Sequence, residues 1–159
     1  MRKIIILVAI LFALGMSNGK AQGFDGKGSL MLGPTVGISW GAAFGVTGDY
    51  GLTDNWSIGG DICYTSYKSF YKYTLVGVLA AASYHFDFLS EGWDPYLKGG
   101  LGYFNWSNDA AEGFGTLGQT SGIGFILQGG CRYYIKDNIA LRASLGFPYY
   151  IGLGVDFKL

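Results

Sequence analysis

From position 149 to the last residue, large apolar side chains fall at every second position. Tyr149, Ile151, Leu153, Val155, Phe157 and Leu159 make one face, while Tyr150, Gly152, Gly154, Asp156 and Lys158 make the other. A period of two belongs to a β-strand, whose successive side chains point to opposite faces. An amphipathic helix would instead repeat at three and four. The pattern recurs upstream. Ile123, Phe125, Leu127, Cys131, Tyr133 and Ile135 oppose Gly124, Gln128, Gly130, Arg132 and Tyr134. Ile139, Leu141, Ala143, Leu145 and Phe147 oppose Ala140, Arg142, Ser144 and Gly146. Continued backwards, the alternation predicts eight strands, over 29–40, 43–52, 56–65, 73–86, 95–105, 121–135, 139–147 and 149–159.

Each strand is about ten residues or a little longer, the length a tilted strand needs to cross a bilayer. An even number brings both termini to one side. Thr53-Asp54-Asn55, Lys136-Asp137-Asn138 and the segment 87–94 fall on that side. The other side carries 66–72 and the Gly-rich 106–120. Outer-membrane barrels have short periplasmic turns and longer external loops. The segment 106–120 is therefore expected to be the longest and most mobile connection. Trp106, Asp109, Glu112 and Phe114 are its candidate external contacts.

The direction of the apolar face decides between a soluble and a membrane barrel. The chain is half apolar and 17% aromatic, with 28 glycines and three prolines. An eight-stranded barrel has room inside only for packed side chains. The bulky set would overfill it, whereas Gly, Ser, Thr and scattered charges fit. The bulky set is thus assigned to the outside, which lipid tolerates and water does not. Aromatics mark two rims. Tyr50, Trp56, Tyr84, Phe86, Tyr133 and Phe157 lie towards the end of the termini; Trp40, Phe44, Tyr64, Tyr103, Phe147 and Tyr149 lie towards the other. Tyr and Trp favour such interfaces because they join an apolar ring to a polar handle.

The N-terminus has another organisation. Arg2 and Lys3 precede an apolar run from Ile4 to Leu14, and small and polar residues lead to Ala21. That order is a secretory signal peptide, too short to span a bilayer as a helix. Cleavage is expected after Ala21, giving a signal over 1–21 and a barrel domain over 22–159. Removing Arg2, Lys3 and Lys20 lowers Lys+Arg from 11 to 8 against 11 Asp+Glu, a net −3. Such a balance argues against nucleic-acid binding, which needs a basic face.

The sequence offers little catalytic chemistry. No phosphate loop or His/Cys metal spacing is present, and no cofactor is expected. His85 is the single histidine and falls near the end of the termini, away from where an outer-leaflet enzyme would work. A structural hydrogen bond is its expected role. Cys63 and Cys131 fall on non-adjacent strands and opposite faces, so no disulfide is expected.

Charges on the inner face form a candidate site. Tyr50-Gly-Leu-Thr-Asp-Asn-Trp-Ser-Ile58 resembles Tyr133-Tyr-Ile-Lys-Asp-Asn-Ile-Ala-Leu141, 83 residues on. Four strands apart in a ring of eight means opposite walls. Centring each turn on its Asp puts Asp49 across from Gly59 with Asp61 diagonal, and Arg132 across from Arg142. Asp156 and Lys98 fall close by. The expectation is a lumen plugged by ion pairs among Asp49, Asp61, Lys98, Arg132, Arg142 and Asp156.

Several segments together resemble the small outer-membrane β-barrel proteins related to the OmpA transmembrane domain and OmpX. They are Tyr50-Gly-Leu-Thr-Asp-Asn, Tyr84-His-Phe86, Asp94-Pro-Tyr-Leu-Lys-Gly-Gly-Leu-Gly-Tyr103 and Gly152-Leu-Gly-Val-Asp-Phe-Lys-Leu159. The resemblance implies an all-β, eight-stranded antiparallel up-and-down transmembrane barrel in the outer membrane of a Gram-negative bacterium. It implies a monomer in contact with outer-membrane lipids and lipopolysaccharide, inserted by the barrel-assembly machinery through its C-terminal strand. The family commonly ends in Phe; here Leu159 stands last, with Phe157 on the same face. The function expected is structural or surface interaction, without enzymatic activity. A narrow passive porin-like channel is the alternative, and an outer-leaflet lipid-modifying enzyme ranks third.

Overall fold

The computed structural model describes residue 24 and residues 26–68, 71–87, 89, 91–110 and 116–159. The signal-peptide region lies outside them. Eight strands follow one another in chain order: β1 (Leu30–Ile38), β2 (Ala42–Gly51), β3 (Trp56–Lys68), β4 (Tyr71–His85), β5 (Trp93–Ala110), β6 (Thr116–Lys136), β7 (Ile139–Phe147) and β8 (Ile151–Lys158). Each pairs antiparallel with the next, and β8 returns to β1 to close the barrel. Closure satisfies backbone donors and acceptors that lipid would leave unpaired.

The strands are strongly tilted. A row of ladder partners starts at Leu30 and passes through Tyr50, Ile58, Ala82, Gly99 and Leu127 to Phe147. Leu30 opens β1 at the end of the termini, whereas Phe147 closes β7 at the opposite end. The row therefore climbs the wall as it circles it, as closure with staggered register requires.

Burial follows the expected alternation. β1 reads exposed–buried from Leu30 to Val36, and β7 and β8 behave alike. Leu32, Val36, Ile58, Ile62, Val78, Leu101, Leu145 and Leu153 face outward. Trp56 and Tyr84 pack edge to face near the end of the termini, and Trp93 lies against Tyr133 there. Trp40 and Tyr150 pair edge to face at the other end. Cys63 is buried, Cys131 is partly buried on a non-adjacent strand, and both thiols are free.

Several boundaries differ from the sequence reading. The connection expected over 66–72 is mostly ladder, since β3 runs to Lys68 and β4 starts at Tyr71. β5 runs to Ala110 and β6 starts at Thr116, so most of 106–120 is ladder, with only 111–115 between. Apolar alternation fades there although pairing continues. Alternation records a lipid-facing side, and these residues extend past the ends of β7, β8, β1 and β2. The connection 86–92, at the end of the termini, is longer than 111–115. Finally, Tyr149 precedes β8 and is buried, while Phe147 packs inward against the core, so neither joins the outer aromatic rim.

Candidate functional site

All eight strands send polar side chains to one layer of the lumen, in the half nearer the termini. Arg132 of β6 is the hub. Its Nη2 donates to Asp49 of β2, its Nε to Asp156 of β8 at 2.7 Å, and its Nη1 to Asp94 of β5 at 3.4 Å. The guanidinium also sits 4.9 Å from the centre of the Tyr96 ring, in cation–π range. A planar fork with five donors is the group able to face three carboxylates at once. Arg142 joins Asp156 at 3.2 Å and donates to Thr35 of β1. Lys98 lies 3.2 Å from Asp49 and 3.5 Å from Asp61, whose carboxylate also accepts from Thr47. Every one of these charged side chains is buried.

The six residues expected to meet in the lumen are thus brought together: Asp49, Asp61, Lys98, Arg132, Arg142 and Asp156. The register is the one derived from the turns, with Asp49 opposite Gly59 and Arg132 opposite Arg142. The 83-residue offset is realised as a direct contact, Arg132 to Asp49.

The external contact residues fare differently. Trp106 is in β5 and turns inward, with its ring 5.6 Å from that of Phe104, so it is not an external contact. Asp109 also belongs to β5, opposite Lys72 and Thr116 in the ladder rather than in a loop. Glu112 and Phe114 lie outside the described residues.

Two features escaped the sequence. The first is Asp94, the fourth carboxylate, and what it holds. His85 Nδ1 is 2.6 Å from Asp94 Oδ1, and His85 Nε2 is 2.9 Å from Ser57 Oγ. The connectivity is that of a serine–histidine–aspartate relay. Ser57, however, is fully buried, and its flanking backbone belongs to the β3 ladder. Here the arrangement fixes the imidazole ring between side chains of the two strands that flank β4. Ser57 and Asp94 carry no distinctive spacing to His85; they meet it because β3, β4 and β5 are consecutive paired strands.

The second feature is an apolar lumen layer in the outer half. Ala43, Cys63, Leu75, Leu79, Ala81, Phe104, Ile126 and Tyr149 form one buried cluster, with Tyr73, Trp106 and Phe147 packed against it. Phe104 is its centre. It fits because its own strand and both neighbours offer glycine: a Cβ at Gly77 or Gly102 would lie 2.8 Å from the ring, and one at Gly124 3.0 Å. The expectation that bulky apolar groups would stay outside is corrected at these positions. β4 is apolar on both faces, so alternation could not show which residues turn in.

The outer rim is asymmetric. β6 pairs with β7 only from Leu127 towards the termini, and beyond that it pairs with β5 alone. β3–β6 therefore stand past β7, β8, β1 and β2 as a sheet whose β6 edge is unpaired from Thr116 to Ile126. Ile123 and Phe125 on that edge are 78% and 85% exposed, while wall residues such as Leu101 and Val78, flanked on both sides, reach 51% and 58%.

A closed, tilted, eight-stranded barrel, apolar and aromatic outside with charges inside, is a transmembrane β-barrel. The chain belongs to the outer membrane protein beta-barrel domain family, whose model matches residues 5–158. Its place is the outer membrane of a Gram-negative bacterium. Three solved structures share the fold. The N-terminal β-barrel domain of Pseudomonas aeruginosa OprF is 24% identical, covering 85% of this chain and 100% of that one, with a TM-score of 0.66. Neisserial surface protein A is 20% identical over 82% and 95%, with a TM-score of 0.61. Ail, the attachment invasion locus protein of Yersinia pestis, is 13% identical over 84% and 99%, with a TM-score of 0.57. No curated protein sequence matches the chain.

Proposed function

We propose that this protein is a non-conducting surface barrel, an anchor whose lumen is plugged by side chains and whose projecting sheet meets partners outside the cell. One observation carries the first half: the lumen holds two different fillings in series, an ion-pair layer and an apolar layer. A hydrated pore needs a continuous polar path, and the Phe104 cluster interrupts it. A planar-bilayer recording on refolded protein tests this. Wild type is expected to be silent, and a steady ohmic conductance would favour the porin-like channel. Arg132→Ala and Phe104→Ala each leave one layer intact and stay silent, whereas the double variant conducts.

The projecting β3–β6 sheet supports the surface-interaction half. A free edge presents unpaired N–H and C=O groups, a template on which an extended segment of another protein adds as a strand. The described part of this edge, Thr116 to Ile126, carries no Lys and no Pro to block such pairing. Hydrogen exchange on intact outer membranes reads it. Alternate amides of 116–126 exchange fast in the free protein, and a bound partner strand slows them.

Ser57, buried in the wall, supports a role without enzymatic activity. Maturation by cleavage after Ala21 belongs to the same proposal, and N-terminal sequencing of membrane-extracted protein checks it. Contacts with lipopolysaccharide and insertion by the barrel-assembly machinery complete it.

A further inference from the structure

At the end of the termini a residue ahead of β1 covers His85. Phe24 lies flat on His85, with ring centroids 3.7 Å apart and planes 3° apart. Gly26 to Ser29 lead from there into β1, tied to the barrel wall. Gly28 N donates to Gly51 O at 2.9 Å, Gly51 N to Ser29 O at 2.8 Å, and Ser29 Oγ to Gly26 O at 2.8 Å. Gly26 has a φ of +70°, and a Cβ there would meet Asp54 at 2.7 Å, so no other residue lets the segment turn so close to the β2–β3 turn. Beneath Phe24, His85 is clamped by Ser57 and Asp94, and Asp94 reaches Arg132.

We propose that Phe24 is a latch. It closes the periplasmic mouth of the barrel over His85 and so shields the Ser57–His85–Asp94 relay, and through it the Arg132 hub, from periplasmic water. This inference extends the reading of a plugged lumen. The latch guards the inner end of the ion-pair layer, and residues that precede β1 are thereby coupled to a network all eight strands share. Anything that draws the N-terminal segment away exposes His85 first.

The chain contains one histidine, so the native protein reports on itself. Folded barrel in detergent is treated with diethyl pyrocarbonate, carbethoxylation of His85 is followed by peptide mass mapping, and folding is checked by heat-modifiable gel migration. In wild type the ring is expected to be protected relative to the urea-unfolded chain. An aromatic stack is worth up to about 1.5 kcal/mol, so Phe24→Ala should speed modification about tenfold. Gly26→Ala, which keeps the ring and displaces the strap, should also expose His85, and it carries the test if Phe24→Ala does not fold. A wild-type His85 that reacts as fast as in the unfolded chain overturns the latch, as do folded variants that stay as protected as wild type. Conductance separates this from the plug. An open latch in a silent barrel leaves the plug standing, and a conducting wild type removes the plug whatever His85 does.

Discussion

The two halves of the lumen fill the same cylinder by opposite physics. Towards the termini, four carboxylates and three cations interlock around Arg132. Towards the outer rim, Phe104 and its neighbours pack as an ordinary core. The ionic layer is cooperative, since each buried charge is tolerable only while its partners stay. The apolar layer is graded, since each methylene contributes by its own area and fit. The ionic layer thus fixes which walls face each other, and the apolar layer tolerates repacking. A barrel this narrow is built around its contents.

The largest effect is expected at the hub. Arg132→Ala takes a buried donor from Asp49, Asp94 and Asp156 at once, leaving them to Lys98, His85 and Arg142, and should cost about 3–5 kcal/mol. Urea unfolding in liposomes measures it, and a loss under about 1 kcal/mol would show that water replaces the guanidinium and that the ionic half is not cooperative.

Next comes Phe104→Ala, expected to cost about 3 kcal/mol by leaving a cavity among Gly77, Gly102 and Gly124. Phe104→Leu should recover much of that loss, which is the graded response. Equal losses for Leu and Ala would erase the contrast between the halves.

Asp61 sharpens the ionic side. It touches Lys98 at 3.5 Å and accepts from Thr47, whereas Asp49 answers both Lys98 and Arg132. Asp61→Asn should therefore cost about 1 kcal/mol, the scale of one hydrogen bond, and Asp49→Asn clearly more. The reverse order in the same unfolding series would place the hub elsewhere.

The smallest effect is expected outside both layers. Ile123→Ser on the free edge of β6 should change stability by less than about 1 kcal/mol, as expected near the membrane interface. The same substitution at Leu101, inside the lipid band, should cost more. Identical losses at the two sites would mean that Ile123 is as deep in lipid as Leu101.

Much of this was legible residue by residue. Alternation placed the ends of β2, β3 and β7 within a few residues, because one side of those strands meets lipid and the other the lumen. Asp54 and Asp137, at the centres of tight turns, set the register that puts Asp49 opposite Gly59 and Arg132 opposite Arg142. The ion-pair layer followed, since register and strand count together define opposite walls. Where the rule lacked its cause, the reading failed. Past Tyr103 and before Ser121 no lipid imposes a pattern, so the β5–β6 ladder looked like a loop and Trp106 like an external contact. In β4 both faces are apolar, so the inward turn of Leu75 and Leu79 could not be read.

By itself, then, the sequence determined what local periodicity and turn chemistry encode: eight strands, their order, the lipid face, and six of the charges inside. The folded wall alone set which inward side chains meet between neighbouring strands. Ser57, His85 and Asp94 come from three strands with no shared spacing, Phe104 needs glycines on two neighbouring strands, and Phe24, ahead of β1, meets His85 at the end of β4. These contacts depend on the tilt and stagger of the whole wall, a property no segment carries alone.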